Sequence, residues 1–313
     1  MPHKDDLNDG YEYREELGAA AAGCNVVEYL AGRHPSAGRG EWLERIEAGR
    51  VLLDGAPAAA NAVLRPGQRL SWLRPPWVEP DAPLAYAILH RDEHLLAVAK
   101  PTGLPTLPGG GRFMRNTLWA LVRRRFPEAN PVHRLGRGTS GVLLFARSAE
   151  AFARVSQAWR RGEVRKAYRT LVAGEPSADG FDIDVPVGRI PHRALGTVHA
   201  ATFPGDPSGK AAHSHVAVME RRDGCALVDV RITTGRPHQI RIHLAAAGHP
   251  LVGDPLYGVG GVPLPGHGAL PGDLGYHLHS LSLELEHPAT GERLEVVCAP
   301  PPPLRLGGSA AAR

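Results

Sequence analysis

From residue 85 onward the apolar residues come in strand-length runs, each cut short by a turn bearing glycine, proline or charge. AYAIL and HLLAVA flank an acidic turn at 91–94, and GVLLFA follows a glycine-rich loop. KAYRTLVAG forms another run, and residues 277–301 read as a hairpin around Ala289, Thr290 and Gly291. Such a chain must pair strands before it can bury anything. Helical spacing occurs in only a few places. NTLWALVRRRF ends at Pro127, and SAEAFARVSQAWRRGEV begins with Ser148 as N-cap and Glu150 in its first turn. Residues 227–248 begin as a strand and turn helical near Gln239. Helices and strands do not alternate as a doubly wound parallel sheet requires, so the expected class is α+β.

Residues 19–75 carry a separate pattern. VVEYLAGRH and EWLERIEAG read as two short amphipathic helices, the second with Trp42, Leu43 and Ile46 on one face and Gly49 as its stop. RVLLDGAPA reads as strand, Asp-Gly turn, strand, and LRPGQRLSWL as a Pro-Gly turn and a last strand. Helix, helix and strands in this order resemble the alpha-L RNA-binding motif. The resemblance implies that Arg45 and Arg50 face RNA, although Glu41, Glu44 and Glu47 make the second helix less basic than that module usually is. The polar residues 1–18 are expected to be a disordered tail, 76–84 a proline-rich linker and 303–313 a second tail.

Composition narrows the setting. No run of 18 apolar residues exists to span a membrane, and the first residues lack the apolar core of a signal peptide. Cys24, Cys225 and Cys298 are far apart and lack metal-ligand spacing, which fits a reducing cytoplasm. The net charge is only +4, but residues 100–170 hold fifteen Lys or Arg against three acids, a local +12 that leaves −8 for the rest. That density suggests a polyanionic partner, with a solvated arginine-rich helix face as the competing reading.

Five segments carry the chemistry: HLLAVAKPTGLPTLPG, VHRLGRGTSGVLLFAR, RKAYRTLVAG, TTGRPHQIRIHLAAAGHPLVGDPLYG and LHSLSLELEHP. Their order and spacing over about residues 85–302 resemble the RluA-type RNA pseudouridine synthases. The resemblance implies a pseudouridine synthase fold with a central mixed, largely antiparallel sheet. It also implies isomerisation of uridine to pseudouridine in ribosomal or transfer RNA, with no cofactor or metal. In that reaction the C1′–N1 bond breaks, the uracil turns and C5 rejoins C1′. The target base must first leave its stack.

The family's motif H-R-L-D-x-x-T-S-G supplies a catalytic aspartate. Here His133, Arg134, Leu135, Thr139, Ser140 and Gly141 match it, but Gly136 stands at the aspartate's position, followed by Arg137. The resemblance assigns Tyr168 to stacking on the base and Arg241 to pairing with the missing carboxylate. It assigns His133, Arg134, Arg137, Thr139, Arg236 and His238 to substrate binding. A glycine cannot attack a sugar or accept a proton. Two functions therefore stay open: an enzyme whose carboxylate has moved, and a catalytically inactive RNA-binding protein on the same fold. Asp254 is the first candidate for a substitute carboxylate, with Asp182 and Asp184 behind it, although Asp254 also matches a structural aspartate of the family. Without a substitute, Arg241 lacks a counter-ion and joins Arg137 in an anion-attracting cavity. The pairs His213/His215 and His277/His279 lack the companions of a zinc site, so none is expected. The five tryptophans read mainly as core residues, and a cytoplasmic monomer is the default expectation.

Overall fold

The computed structural model describes residues 7–34, 37–109, 111–192, 196–266 and 268–307. The chain divides into two compact units, Met1–Glu79 and Pro80–Arg313.

In the first unit, β1 (Tyr11–Glu16) precedes α1 (Val26–Arg33) and α2 (Arg39–Glu47). β2 (Val51–Leu53), β3 (Ala56–Pro57) and β4 (Arg69–Arg74) follow, giving a sheet of order β1-β4-β2-β3. Asn25 caps α1 by accepting the Glu28 N–H, and Trp42 and Ile46 of α2 bury against Leu30, Val51 and Leu64. The Asp54-Gly55 turn takes positive φ at both residues, 53° and 87°, the geometry that matches the twist of a tight hairpin. Two expectations need correction. Residues 11–16 are not a disordered tail: Tyr11–Glu16 pairs in register with Arg74 through Arg69, because alternate residues gain cover against the β4 side chains. Tyr13, for instance, stacks on Trp72 at 5.0 Å. Arg45 does not reach freely outward: its guanidinium lies 4.4 Å from both the Trp42 and Trp72 rings and pairs with Glu41. Arg50 is exposed.

The second unit opens with the hairpin β5 (Ala87–Arg91) and β6 (Leu95–Lys100). Then come α3 (Leu118–Arg125), β7 (Asn130–Pro131), β8 (Thr139–Ala146), α4 (Ala149–Arg161) and β9 (Arg165–Ala173). β10 (Gly180–Ile183), β11 (Val187–His192), β12 (Gly196–Ala201), β13 (Ser214–Arg222) and β14 (Cys225–Ile232) lead to α5 (Gln239–Ala246). β15 (Tyr257–Gly258), β16 (Val262–Pro263), β17 (Leu278–Glu286) and β18 (Arg293–Val297) complete it. The central sheet runs β10-β13-β14-β9-β17-β8-β6-β5, with β18 beside β17 and β7 beside β8. It is antiparallel throughout except for the β8–β17 pair, which makes it mixed and the class α+β.

Period-two burial explains why β8 is apolar on both faces. Leu143 and Phe145 join Leu96 and Val98 under Leu118, Leu121 and Val122 of α3. Val142 and Leu144 join Leu95 and Ala97 against Val155 of α4 on the other face. Ser148 caps α4 by accepting the Ala151 N–H, and Gly162 ends it in the left-handed conformation. The expected tail after 302 is ordered through 307, because Leu304 is fully buried against Leu171 and Leu227; residues 308–313 lie outside the described residues.

The parallel pair is only three residues long: Thr139, Ser140 and Gly141 lie beside Leu278, His279 and Ser280. Gly141 has φ +107°, and a Cβ there would sit 2.1 Å from the Ser280 carbonyl oxygen. Only glycine permits that approach. Gly141→Ala should therefore destabilise the protein by at least about 3 kcal/mol. Thermal melts beside the parent protein check this, and an unshifted melting temperature would contradict it.

Candidate functional site

The loop 133–138 enters the site with its backbone fastened from below. Thr106 donates its hydroxyl to the Leu135 carbonyl at 2.8 Å and accepts the Leu135 N–H at 3.2 Å. The buried Lys100 ammonium donates to the carbonyls of Leu104 at 2.6 Å, Pro101 at 2.9 Å and Arg137 at 3.4 Å. The loop thus forms one wall of a cavity of about 240 Å³, between β8, β9 and the start of α5.

His133, Arg134, Gly136, Thr139, Tyr168, Arg236, His238 and Arg241 all line this cavity. His133 is committed to its own scaffold: Nε2 accepts the Leu144 N–H at 3.0 Å and the ring stacks on Trp159 at 4.6 Å. An imidazole that accepts there must be neutral. Burial, with the Lys166 charge nearby, pulls it down to about 3. His238 sits at φ 57° just before α5 and gives its Nδ1 proton to the Tyr257 hydroxyl, 2.7 Å away, which itself donates to the His199 carbonyl. Burial, then the Arg241 charge, brings it to about 3 as well. Tyr168 is 8% exposed, and burial pushes its phenol up to about 12, so it presents a neutral ring to the cavity at physiological pH. Arg236 lies at the rim and donates Nε to the Ala211 carbonyl at 3.0 Å.

Arg241 has a counter-ion, contrary to the expectation. Nε and Nη2 form two parallel bonds of 2.6 Å to the Asp254 carboxylate, and Nη1 donates to the Pro271 carbonyl at 3.0 Å. Asp254 also accepts the N–H groups of Leu256 and Tyr257, which closes its turn and fills its lone pairs. Both side chains are almost fully buried, at 3% and 1% exposure. Asp254 does not line the cavity, so the candidate substitute carboxylate stands behind Arg241. Asp182 and Asp184 do not line it either; they pair with His215 of β13 and with His213 just before that strand. Arg137 also turns away, its guanidinium 5.5 Å from the Phe113 ring, because the Lys100 and Gly103 contacts to its carbonyl fix the loop in that direction. The two-arginine cavity is thereby corrected: Arg134, Lys166 and Arg236 supply its charge beside a neutralised Arg241. Among the described residues, no carboxylate lines the cavity and no cluster of three or more His, Cys, Asp or Glu could hold a metal ion.

Three lining residues were given no place in the site from sequence: Trp159, read with the other tryptophans as core, Lys166 and Tyr276. Trp159 of α4 backs His133, and Lys166 lies 5.3 Å from its ring. More important is Tyr276, two residues before the parallel pair. Its ring fits against the loop only because residue 138 is glycine: a Cβ there would meet Cζ at 2.8 Å. The signal was the second glycine of the motif, which asks what large group approaches so closely. Gly136, by contrast, is open. A Cβ on it would lie 3.6 Å from both Thr139 Oγ1 and Tyr276 Oη, at ordinary contact and without positive φ.

Two stability tests follow from this geometry. Asp254→Asn leaves the Arg241 guanidinium buried without its charge partner and should cost about 3–5 kcal/mol in chemical denaturation; a loss under 1 kcal/mol would contradict the pairing. His133 and His238 are held neutral well below the ordinary value of 6.5. Their contribution is complete above pH 6.5 and is lost as pH falls toward 3, because the unfolded chain binds the extra protons. Urea melts should lose up to about 2.7 kcal/mol per pH unit near pH 5, and a flat stability from pH 7 to 4.5 would refute it.

Comparison with known proteins agrees with this geometry. The sequence matches the family described as RNA pseudouridylate synthase over residues 94–246. It is 41% identical to an uncharacterized RNA pseudouridine synthase of Synechocystis sp., over 89% of this chain and 95% of that protein. It is 36% identical to RNA pseudouridine synthase 5 of Arabidopsis thaliana, over 96% of this chain and 95% of that one. It is 31% identical to ribosomal large subunit pseudouridine synthase D of Pseudomonas aeruginosa, over 92% of each chain. Among solved structures, human RNA pseudouridylate synthase domain containing 1 superposes with a TM-score of 0.56 at 26% identity, covering 74% of this chain and 91% of that one. With its mixed sheet, its cavity between β8, β9 and α5, and relatives that span its length, the chain belongs to the RluA-type RNA pseudouridine synthase family.

Proposed function

We propose that this protein isomerises uridine to pseudouridine in a ribosomal or transfer RNA, in the cytoplasm. The observation that carries the reading is the cavity itself. Three cations, Arg134, Lys166 and Arg236, ring a pocket whose floor is the neutral Tyr168 face, with Arg241 fixed alongside. A flipped base stacks on such a face while its phosphates meet the cations. The basic segment 100–170 would carry the flanking strand. The first unit would add affinity in the manner of an alpha-L module, through Arg50 more than Arg45. No described helix is long and apolar enough to cross a membrane, which agrees with a substrate in the aqueous phase.

A second reading has its own support: no carboxylate lines the cavity among the described residues. On that reading the protein binds RNA and turns nothing over. Pseudouridine formation on unmodified RNA separates the two. The parent protein is expected to make pseudouridine, and Tyr168→Phe to slow it at least tenfold with RNA affinity within a few-fold, since affinity rests on phosphate contacts. If only Gly136→Asp turns over, the parent is a binding protein.

A further inference from the structure

The cavity lacks the family's carboxylate, but a side-chain oxygen from another segment lies close to residue 136. Tyr276 lies two residues before Leu278 and is 3% exposed. Its hydroxyl sits 3.6 Å from the ideal Cβ position of Gly136. Four contacts hold it there. Gly138 yields the space for the ring, since any Cβ would come within 2.8 Å of Cζ. The Arg241 guanidinium lies over the ring, 4.3 Å from its centroid, and is itself clamped by Asp254. Gly275 packs against the turn that carries Asp254, where a Cβ would meet the Gly253 carbonyl oxygen at 2.5 Å. Leu278 then enters the parallel pair opposite Thr139. The Tyr276 hydroxyl makes no hydrogen bond among the described residues, and Tyr276 lines the cavity.

We propose that Tyr276 Oη replaces the missing aspartate as the atom that bonds the sugar. This rests on the reading that the protein is a pseudouridine synthase. The other hydroxyls lining the cavity are less suited. Thr139 is an alcohol of much higher pKa than a phenol, and Tyr168 lies beneath the base as its stacking face. Tyrosine is an accepted nucleophile at a sugar's anomeric carbon. The step balances without a co-reactant. Oη bonds C1′ as the C1′–N1 bond breaks, and the phenol proton goes to uracil N1. The neutral uracil turns, and its C5 bonds C1′ as the C1′–Oη pair returns to oxygen. The phenolate then takes the C5 proton, which restores tyrosine and leaves the proton on N1 of pseudouridine. Gly136 leaves open the space between Oη and the bound nucleotide that a side chain there would fill.

The test measures single-turnover pseudouridine formation, RNA affinity and melting temperature for the parent, Tyr276→Phe, and Tyr276→Phe combined with Gly136→Asp. Phenylalanine keeps the ring between Gly138 and Arg241 and removes only the oxygen. The expected result is at least a hundredfold loss of rate in Tyr276→Phe, with affinity and melting temperature unchanged, and turnover regained in the double variant as the oxygen passes back to residue 136. A Tyr276→Phe protein within a few-fold of the parent overturns the proposal while leaving the enzyme reading intact. So does a loss that comes with weaker RNA binding or a lower melting temperature, which would mark Tyr276 as packing, or a folded double variant that stays silent. A parent protein that makes no pseudouridine removes both the proposal and the reading beneath it.

Discussion

The site depends on two backbones approaching more closely than side chains allow. At Gly141 and Ser280 the parallel strands β8 and β17 meet with no room for a single carbon between them. This short junction joins the loop 133–138 to the segment around Tyr276. Strand β9, on the other side of β17, then brings Tyr168 opposite Ser280. Loop, Tyr168 and Tyr276 are thus set by one register. A slip of one residue would turn every alternate side chain to the wrong face.

Charge is arranged on the same principle of fixed placement. Burying an arginine with a carboxylate brings little net stability, because desolvation consumes most of the attraction. The Arg241–Asp254 pair gains definition instead. Two parallel bonds, a carbonyl partner and two backbone N–H groups leave the guanidinium one orientation, 4.3 Å from the centre of the Tyr276 ring. Around it the cavity combines Arg134, Arg236 and the buried Lys166 with the neutral rings of Tyr168 and Tyr276. His133 and His238, whose protonation would add charge to a basic pocket, are committed to hydrogen bonds that require the neutral ring or follow from it.

Much of this was legible from residues alone. The strand-length runs, the caps at Ser148 and Gln239's helix, the hairpin near 290 and the class followed from period and punctuation. The motif residues His133, Tyr168, Arg236 and Arg241 converge on one cavity. What sequence could not supply were partners distant in the chain. Asp254 reads equally well as a stray acid or as a clamp until its distance to Arg241 is known. Arg137 follows Gly136 directly, yet the carbonyl contacts of the loop turn it toward Phe113. The tail at 11–16 looked too polar to order, because its cover is supplied by β4, more than fifty residues later. Tyr276 was hidden for the same reason: its meaning lies in the glycine 138 residues before it.

That pairing of Gly138 with Tyr276 also limits how such a site can change. A β-carbon on residue 138 would come within 2.8 Å of the Tyr276 ring, so the ring keeps its present place only while residue 138 is glycine. Position 136 is under no such restriction. The two glycines of one nonapeptide are therefore unlike in geometry: residue 136 has room for a side chain beside Tyr276, whereas one at residue 138 would push the tyrosine ring out of its place.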